Sequence, residues 1–182
     1  MSLQNILKQT NENTYLTTFF QILGGSLFIA LCAQIKIPLW FTPVPLSLQT
    51  FAAMIIGALF GARLGVMSFI LYLAQITAGF PVCVGGVSDS LRLIGPTGGY
   101  LYGMIIQTYL VGWVFERRKQ ISSATLLLSM LAISFIQLGI GAAWLAGFVG
   151  LKNAPLMGFI PFVPGDIIKV IVATTFCEKL KG

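Results

Sequence analysis

Long uncharged apolar runs limit how this chain can fold more than any other feature of its sequence. Six of them have about the 17 to 25 residues that a helix needs to cross a bilayer. A segment in hydrocarbon must satisfy its own backbone groups, which a helix does. We therefore expect an all-α integral membrane protein, a single membrane domain with six transmembrane helices at about residues 15–35, 46–62, 64–80, 97–115, 124–148 and 157–176.

The overall composition agrees with this class. Of the 182 residues 57% are hydrophobic and 9% are charged, and the mean hydropathy is +0.91. The net charge of +6 does not form a basic stripe interleaved with aromatics, so nucleic acid is not expected as a partner. The expected surroundings are a lipid bilayer, in which Lys and Arg fix the orientation.

The basic residues divide unequally between the two ends of the predicted helices. With the N-terminus in the cytoplasm, the inner side holds Lys8, Arg63, Arg117, Arg118, Lys119, Lys179 and Lys181, and the outer side holds Lys36, Arg92 and Lys152. This bias predicts that both termini are cytoplasmic. The longer connections, at 36–45, 81–96 and 149–164, then lie outside, which favours a ligand pocket near the outer side.

Catalysis is not expected from this inventory of side chains. The chain has no histidine, so Ser-His and Cys-His units are excluded. Three widely spaced cysteines, Cys32, Cys83 and Cys177, form no metal-binding spacing, and we expect neither a metal nor a cofactor. No G-x-x-x-x-G-K-[ST] run is present, so any use of ATP requires a partner.

Asp166 and Lys169 stand near the start of the sixth apolar segment, in GFIPFVPGDIIKV. Two charges at this depth are costly, and ionisable residues in membrane helices commonly mark functional sites. At i and i+3 they share a helix face, so the alternative is a mutual ion pair that only packs the bundle. Pro161 and Pro164 are expected to delay the regular helix until about Gly165.

Two outer loops carry further polar clusters. FTPVPLSLQT places Thr42, Ser47 and Gln49 around two prolines, and GVSDSLRLIGPTGGYLYG brings Arg92, Thr97 and Tyr100 to the outer end of the fourth helix. A solvated loop charge is the alternative for Arg92. Together with Asp166 and Lys169, these clusters predict an outward pocket for a small ligand with an amide-like end and an acid end.

Small residues recur at four-residue spacing and let helices approach closely. Examples are Gly57 with Gly61 and Gly65, Gly139 with Ala143 and Gly147, and Ser26 with Ala30. Packing within the chain and an external helical partner both remain open for Ser26 and Ala30.

Five runs, TPVPLSLQTFA, GARLGV, YLAQITAGFPV, GPTGGYLYG and PFVPGDIIK, resemble in that order the motifs of the BioY family. Members of this family are the biotin-specific S components of energy-coupling factor (ECF) transporters. The resemblance runs from about residue 25 to residue 170.

The resemblance implies a six-helix subunit in the cytoplasmic membrane of a prokaryote that captures biotin from outside. It would work with a membrane coupling protein and two cytoplasmic ATPases. By similarity Asp166 would accept the ureido N–H groups, and Lys169 or Arg92 would hold the carboxylate. Gln49, Tyr100 and Thr42 complete the expected substrate-binding set. Ser26 and Ala30 lie where such subunits present a small-residue surface to the coupling protein.

A second class of function stays open beside this one. A self-sufficient secondary transporter or channel for a small organic acid would use Asp166 and Lys169 as a proton- or ion-coupled gate. Such a protein would need no ATPase.

Overall fold

The computed structural model describes residues 3–117 and 122–179, and most of these are helical. The helices are α1 (Leu3–Gln34), α2 (Gln49–Thr77), α3 (Gly98–Arg117), α4 (Ser123–Val149), α5 (Ala154–Gly158) and α6 (Val163–Lys179). Short 3-10 turns cover Ser90–Leu93 and Ile160–Phe162. The all-α class is confirmed. A two-residue ribbon, β1 (Lys36–Ile37) paired antiparallel with β2 (Leu46–Ser47), was not predicted, and it replaces the first turn of the expected second segment.

Four segments of the described chain are long and apolar enough to cross a membrane. They are Tyr15–Gln34, Gln49–Thr77, Ser123–Val149 and Ala154–Lys179. The sequence predicted six crossings. The number differs for two reasons. The second and third predicted segments form one helix, α2, and the glycines, the tyrosines and Gln107 lower the hydropathy of α3.

Gly61 interrupts α2 at the predicted boundary between those two segments. Its backbone angles, φ 78° and ψ 179°, are not helical, and such a positive φ favours glycine. A Cβ on Gly65 would lie 3.3 Å from the Cα of Gly57, although eight residues of straight helix span about 12 Å. The chain therefore reverses at Gly61, and the halves 49–60 and 62–77 pack on each other. Glu116 stabilises the turn, since its Oε1 accepts the N–H of Ala62 at 2.8 Å.

The three long connections gather at the end of the bundle opposite this turn. Gln34 Nε2 donates to the carbonyl oxygen of Cys83, and Trp144 Nε1 donates to that of Gly95. These bonds tie the 78–97 loop to the ends of α1 and α4.

Three of the basic residues that were assigned to the inner side, Arg118, Lys119 and Lys181, lie outside the described residues.

The sixth predicted segment begins differently from the expectation. Pro161 lies in a 3-10 turn and Pro164 is the second residue of α6, where a proline breaks no hydrogen bond because the first helical N–H groups are unpaired in any case. The regular helix therefore begins at Val163, two residues before the predicted Gly165. This start places Asp166 in the first turn.

Close helix contacts occur at several of the predicted small residues. A Cβ on Gly57 would lie 2.5 Å from the carbonyl oxygen of Thr108, and Gly103 lies against Gln137. The ridge predicted on α4 behaves otherwise, because Gly139 and Gly147 have open space around them within the described chain. Helices α2, α3 and α4 thus form a tightly packed centre. This centre supports the end of the bundle where the three long connections gather, which we call the loop end.

Candidate functional site

A narrow cavity of about 50 Å³ lies between the helices and the end of the bundle where the long loops gather. Five of the six substrate-binding residues predicted from the sequence line it, namely Gln49, Arg92, Tyr100, Asp166 and Lys169. Residues separated by more than a hundred positions in the chain are therefore brought to one site.

Asp166 and Lys169 form the deep polar end of this cavity. Lys169 Nζ lies 2.9 Å from Asp166 Oδ1 and donates a second bond, 2.8 Å long, to Thr50 Oγ1. Ser134 Oγ donates to the other carboxylate oxygen at 2.7 Å. The side chains of Asp166 and Lys169 are 2% and 10% exposed. The ion pair considered from the sequence is present. Because both residues also line the cavity, a ligand can still contact them.

The position of Asp166 follows from the start of α6. An acidic residue in the first turn of a helix interacts favourably with the positive end of the helix dipole. Pro164 fixes the backbone at this start. The carboxylate is thus held by the helix terminus, by Lys169 and by Ser134 from α4, which leaves little freedom in its position.

Arg92 provides a second charge at the mouth of the cavity. It lies in the 3-10 turn Ser90–Leu93, and its Nε donates to Asp89 Oδ2 at 3.3 Å. The side chains of Arg92 and Asp89 are 28% and 39% exposed, so water weakens their attraction. A guanidinium carries five N–H donors, and this bond uses one of them. Arg92 is therefore both a solvated loop charge and a cavity residue with donors to offer.

Gln49 and Tyr100 serve mainly as walls, because their polar groups already have partners. Gln49 Nε2 donates to Tyr72 Oη at 2.8 Å, and its Oε1 accepts from Ser47. Tyr72 in turn donates to the carbonyl oxygen of Val82. This chain of bonds ties the start of α2 to the 78–97 loop.

The hydroxyl of Tyr100 is likewise engaged. It donates to the carbonyl oxygen of Gly158 at 2.6 Å, and its ring centroid lies 6.0 Å from that of Phe162. The aromatic face that remains can pack on an apolar part of a ligand.

Thr42 does not line the inner cavity. Its Oγ1 accepts the N–H of Val44 at 3.3 Å and therefore stabilises the 38–45 turn. Thr42 lines a wider outer cavity, which also contacts Lys36, Asp89 and Arg92. The sequence could not separate the two cavities, because both lie beside the same loop.

Ser26 and Ala30 are covered by neighbouring helices. Ser26 is fully buried, donates to the carbonyl oxygen of Leu23 and accepts from Gln75 Nε2 at 3.3 Å. Ala30 is 7% exposed. These contacts favour packing within the chain, one of the two alternatives that the sequence left open.

Four further residues line the cavity or bond its charges and were not predicted from the sequence, namely Thr50, Tyr72, Ser134 and Gln137. For two of them the sequence held a usable pattern. Ser134 and Gln137 are polar, lie three residues apart in a highly apolar run and are both fully buried. Polar pairs at such depth indicate an internal polar surface.

The cysteines do not form a reactive or metal-binding centre in the described ranges. Cys83 lies in the loop beside the cavity, and its Sγ donates to the carbonyl oxygen of Asp89 at 3.6 Å. Burial raises the pKa of the Cys83 thiol above its usual range, so it stays protonated at neutral pH. Residues 3–117 and 122–179 contain no cluster of three or more His, Cys, Asp or Glu side chains that could hold a metal ion.

Known proteins resemble this chain over nearly its whole length. A probable biotin transporter BioY of Pyrococcus horikoshii is 36% identical over 160 residues, which cover 86% of this chain and 93% of the relative. A biotin transporter BioY of Thermotoga maritima is 33% identical over 165 residues and covers 88% and 95%. A crystal structure of the S component for biotin from an ECF-type ABC transporter superposes with a TM-score of 0.83 at 27% identity, covering 93% of each chain.

The BioY family model matches residues 7–182. The motifs quoted from the sequence, the arrangement of the helices and this match agree. The chain belongs to the BioY family.

Proposed function

We propose that this chain binds biotin with high affinity and serves as the substrate-specific S component of an ECF transporter in the cytoplasmic membrane of a prokaryote. The observation that carries the proposal is the cavity that the buried Asp166–Lys169 pair and Arg92 line together, with Arg92 also bordering the outer cavity. Biotin has matching chemistry, with a ureido ring at one end, a carboxylate at the other and apolar atoms between them.

The two ends of the cavity suggest one orientation of the ligand. Lys169 already donates twice, and its charge is neutralised by Asp166 at 2.9 Å. Its third N–H suits the neutral ureido oxygen. Arg92 shares its charge with one half-exposed carboxylate and can offer a carboxylate two parallel bonds. We therefore assign the carboxylate to Arg92 and the ureido N–H groups to the Asp166 end.

The same proposal includes six membrane crossings with both termini in the cytoplasm. The reversal at Gly61 supports it, because the halves of α2 fold back on each other instead of forming one long helix. The loop end then faces outward, and the cavity receives biotin from outside. No P-loop occurs in the 182 residues, so the energy comes from a membrane coupling protein and two cytoplasmic ATPases.

For the coupling protein, the proposed contact surface is the exposed side of α1 next to Ser26 and Ala30. Phe20, Leu27 and Leu31 are 64%, 48% and 68% exposed, and Gly24 between them has open space at its Cβ position. Their spacing of four, three and four residues places them on one helix face.

Reconstitution separates this function from a self-sufficient transporter. In liposomes that hold this chain alone, we expect bound biotin without accumulation, even under a proton gradient. Addition of the coupling protein, both ATPases and internal ATP should start uptake. Accumulation driven by the proton gradient in the absence of partners would instead establish a secondary transporter.

The carboxylate assignment has its own test. Arg92→Ala should weaken binding of biotin at least tenfold, about 1.4 kcal/mol, and should change binding of the primary amide of biotin much less. A matched control is Lys152→Ala, since Lys152 is an exposed loop cation that lines neither cavity. Equal losses for biotin and its amide would reject Arg92 as the carboxylate partner.

A further inference from the structure

Gln137 has an unused hydrogen-bond acceptor beside the binding cavity. The residue is fully buried in α4 and lines the cavity. Its Oε1 has no hydrogen-bond partner among the described residues. Buried polar atoms are nearly always paired in folded proteins, so an unpaired one on a residue that lines a cavity points to a missing donor.

The orientation of this amide is set by its other atom. Gln137 Nε2 donates to the carbonyl oxygen of Tyr100 at 3.3 Å. A carbonyl oxygen can accept only from the nitrogen, so the reversed amide would place two acceptors against each other. The free atom is therefore the oxygen, and the site requires a donor from the ligand.

Gln137 lies one helical turn from the deep polar end. Ser134, which donates to Asp166 Oδ2 at 2.7 Å, is three residues earlier on the same face of α4. Three residues correspond to a rise of about 4.5 Å. Asp166 and Gln137 both line the cavity, and Ser134 links them through its bond to the carboxylate and its place one turn before Gln137.

We propose that Gln137 accepts one of the two ureido N–H groups of the ligand while Asp166 accepts the other. This inference rests on the proposed function and adds a specificity-determining residue to it. A cyclic urea has two N–H donors on opposite sides of its carbonyl, which suits a site with two separate acceptors, Asp166 and Gln137. A ligand that lacks the second N–H leaves Gln137 Oε1 buried and unpaired, which the site disfavours.

The test combines variants of the protein with two isomers of biotin, each methylated on a different ureido nitrogen. The variants are Gln137→Leu and Gln137→Met, which both remove the acceptor. Gln107→Leu is the matched control, because Gln107 is also a fully buried glutamine with an unpaired amide but does not line the cavity. Affinities are measured by titration calorimetry in detergent.

We expect Gln137→Leu and Gln137→Met to bind biotin at least tenfold more weakly than the wild type, and Gln107→Leu to bind it within twofold. In the wild type both methylated isomers should lose at least tenfold. In the Gln137 variants one isomer should bind within about threefold of biotin itself, since its methylated nitrogen no longer meets an acceptor, and the other isomer should still lose at least tenfold.

Two results would overturn the inference. One is biotin affinity that both Gln137 variants leave unchanged, and the other is a loss that does not depend on which nitrogen is methylated, as expected from a merely structural role. A wild type that binds no biotin would overturn the proposed function itself, and the inference with it. Tight wild-type binding therefore distinguishes failure of the inference from failure of the function.

Discussion

Replacing Lys169 with methionine removes the cation but keeps the length and apolar stem of the side chain. Asp166 then keeps its bonds from Ser134 and Thr50 but loses the ammonium at 2.9 Å. With only 2% of the Asp166 side chain exposed, solvent cannot replace that partner. Breaking a buried pair by removing one member costs about 3 to 5 kcal/mol.

We take the lower value, about 3 kcal/mol, because two hydrogen bonds to the carboxylate remain. At about 2 to 4 °C per kcal/mol for a chain of this size, thermal unfolding of Lys169→Met in detergent should begin about 6 to 12 °C lower than in the wild type. The double variant Asp166→Asn with Lys169→Met holds no buried charge. Its unfolding temperature should return to within about 3 °C of the wild type.

Binding should not recover in the same way. The single and the double variant should each bind biotin at least tenfold more weakly, a loss of about 1.4 kcal/mol or more, because both lack groups assigned to the ureido ring. The assay is calorimetric titration beside the thermal scans. A double variant that regains both stability and biotin affinity would mean that the pair only packs the bundle, and an unchanged unfolding temperature for Lys169→Met would refute the burial argument.

Three further predictions follow from contacts outside that pair, each checked by thermal unfolding or by biotin dissociation. Gly57→Ala should destabilise the bundle by about 1 to 3 kcal/mol because its Cβ would overlap a carbonyl oxygen of α3. Gly147→Ala, where the space around the Cβ is open, should be neutral or stabilising by up to about 1 kcal/mol. Equal effects of the two substitutions would refute the packing assignment. Glu116→Ala should cost about 1 kcal/mol by removing the acceptor for the Ala62 N–H, and Glu116→Gln, which keeps an oxygen there, should cost less. Tyr72→Phe removes the hydroxyl that links Gln49 Nε2 to the carbonyl oxygen of Val82, and it should speed biotin release from the isolated protein. An unchanged release rate would show that this link to the 78–97 loop does not retain the ligand.

Much of the fold could be predicted because hydrophobic length is a direct constraint in a bilayer. The boundaries of α4 came within one residue of the prediction, since that helix has clear polar ends. The sequence predicted a boundary between two segments at the position where the chain reverses, Gly61. The number of membrane-spanning segments differed because α2 is one interrupted helix and because α3 has a lower hydropathy. The ribbon from Lys36 to Ser47 gave no signal, because its pairing depends on where the ends of α1 and α2 meet.

The candidate site shows the same division. Asp166 and Lys169 could be identified because charge in an apolar run is rare, and their pairing followed from the i, i+3 spacing. Gln137 stood out in the sequence only as one of two polar residues, with Ser134, in the apolar run of α4. Its value lies in the unpaired oxygen, which is a property of three-dimensional packing. Thr42 and Ser26 carried the right chemistry but point to a turn and to a helix interface.

The central claim is that one enclosed site in this chain recognises biotin by both of its ends. The most direct measurement is a calorimetric titration of the purified wild-type protein in detergent with biotin and with the analogue in which the carboxylate is replaced by a methyl group. We predict one tight site per chain for biotin and at least tenfold weaker binding of the analogue. Equal affinities, or no detectable binding of biotin, would contradict the account.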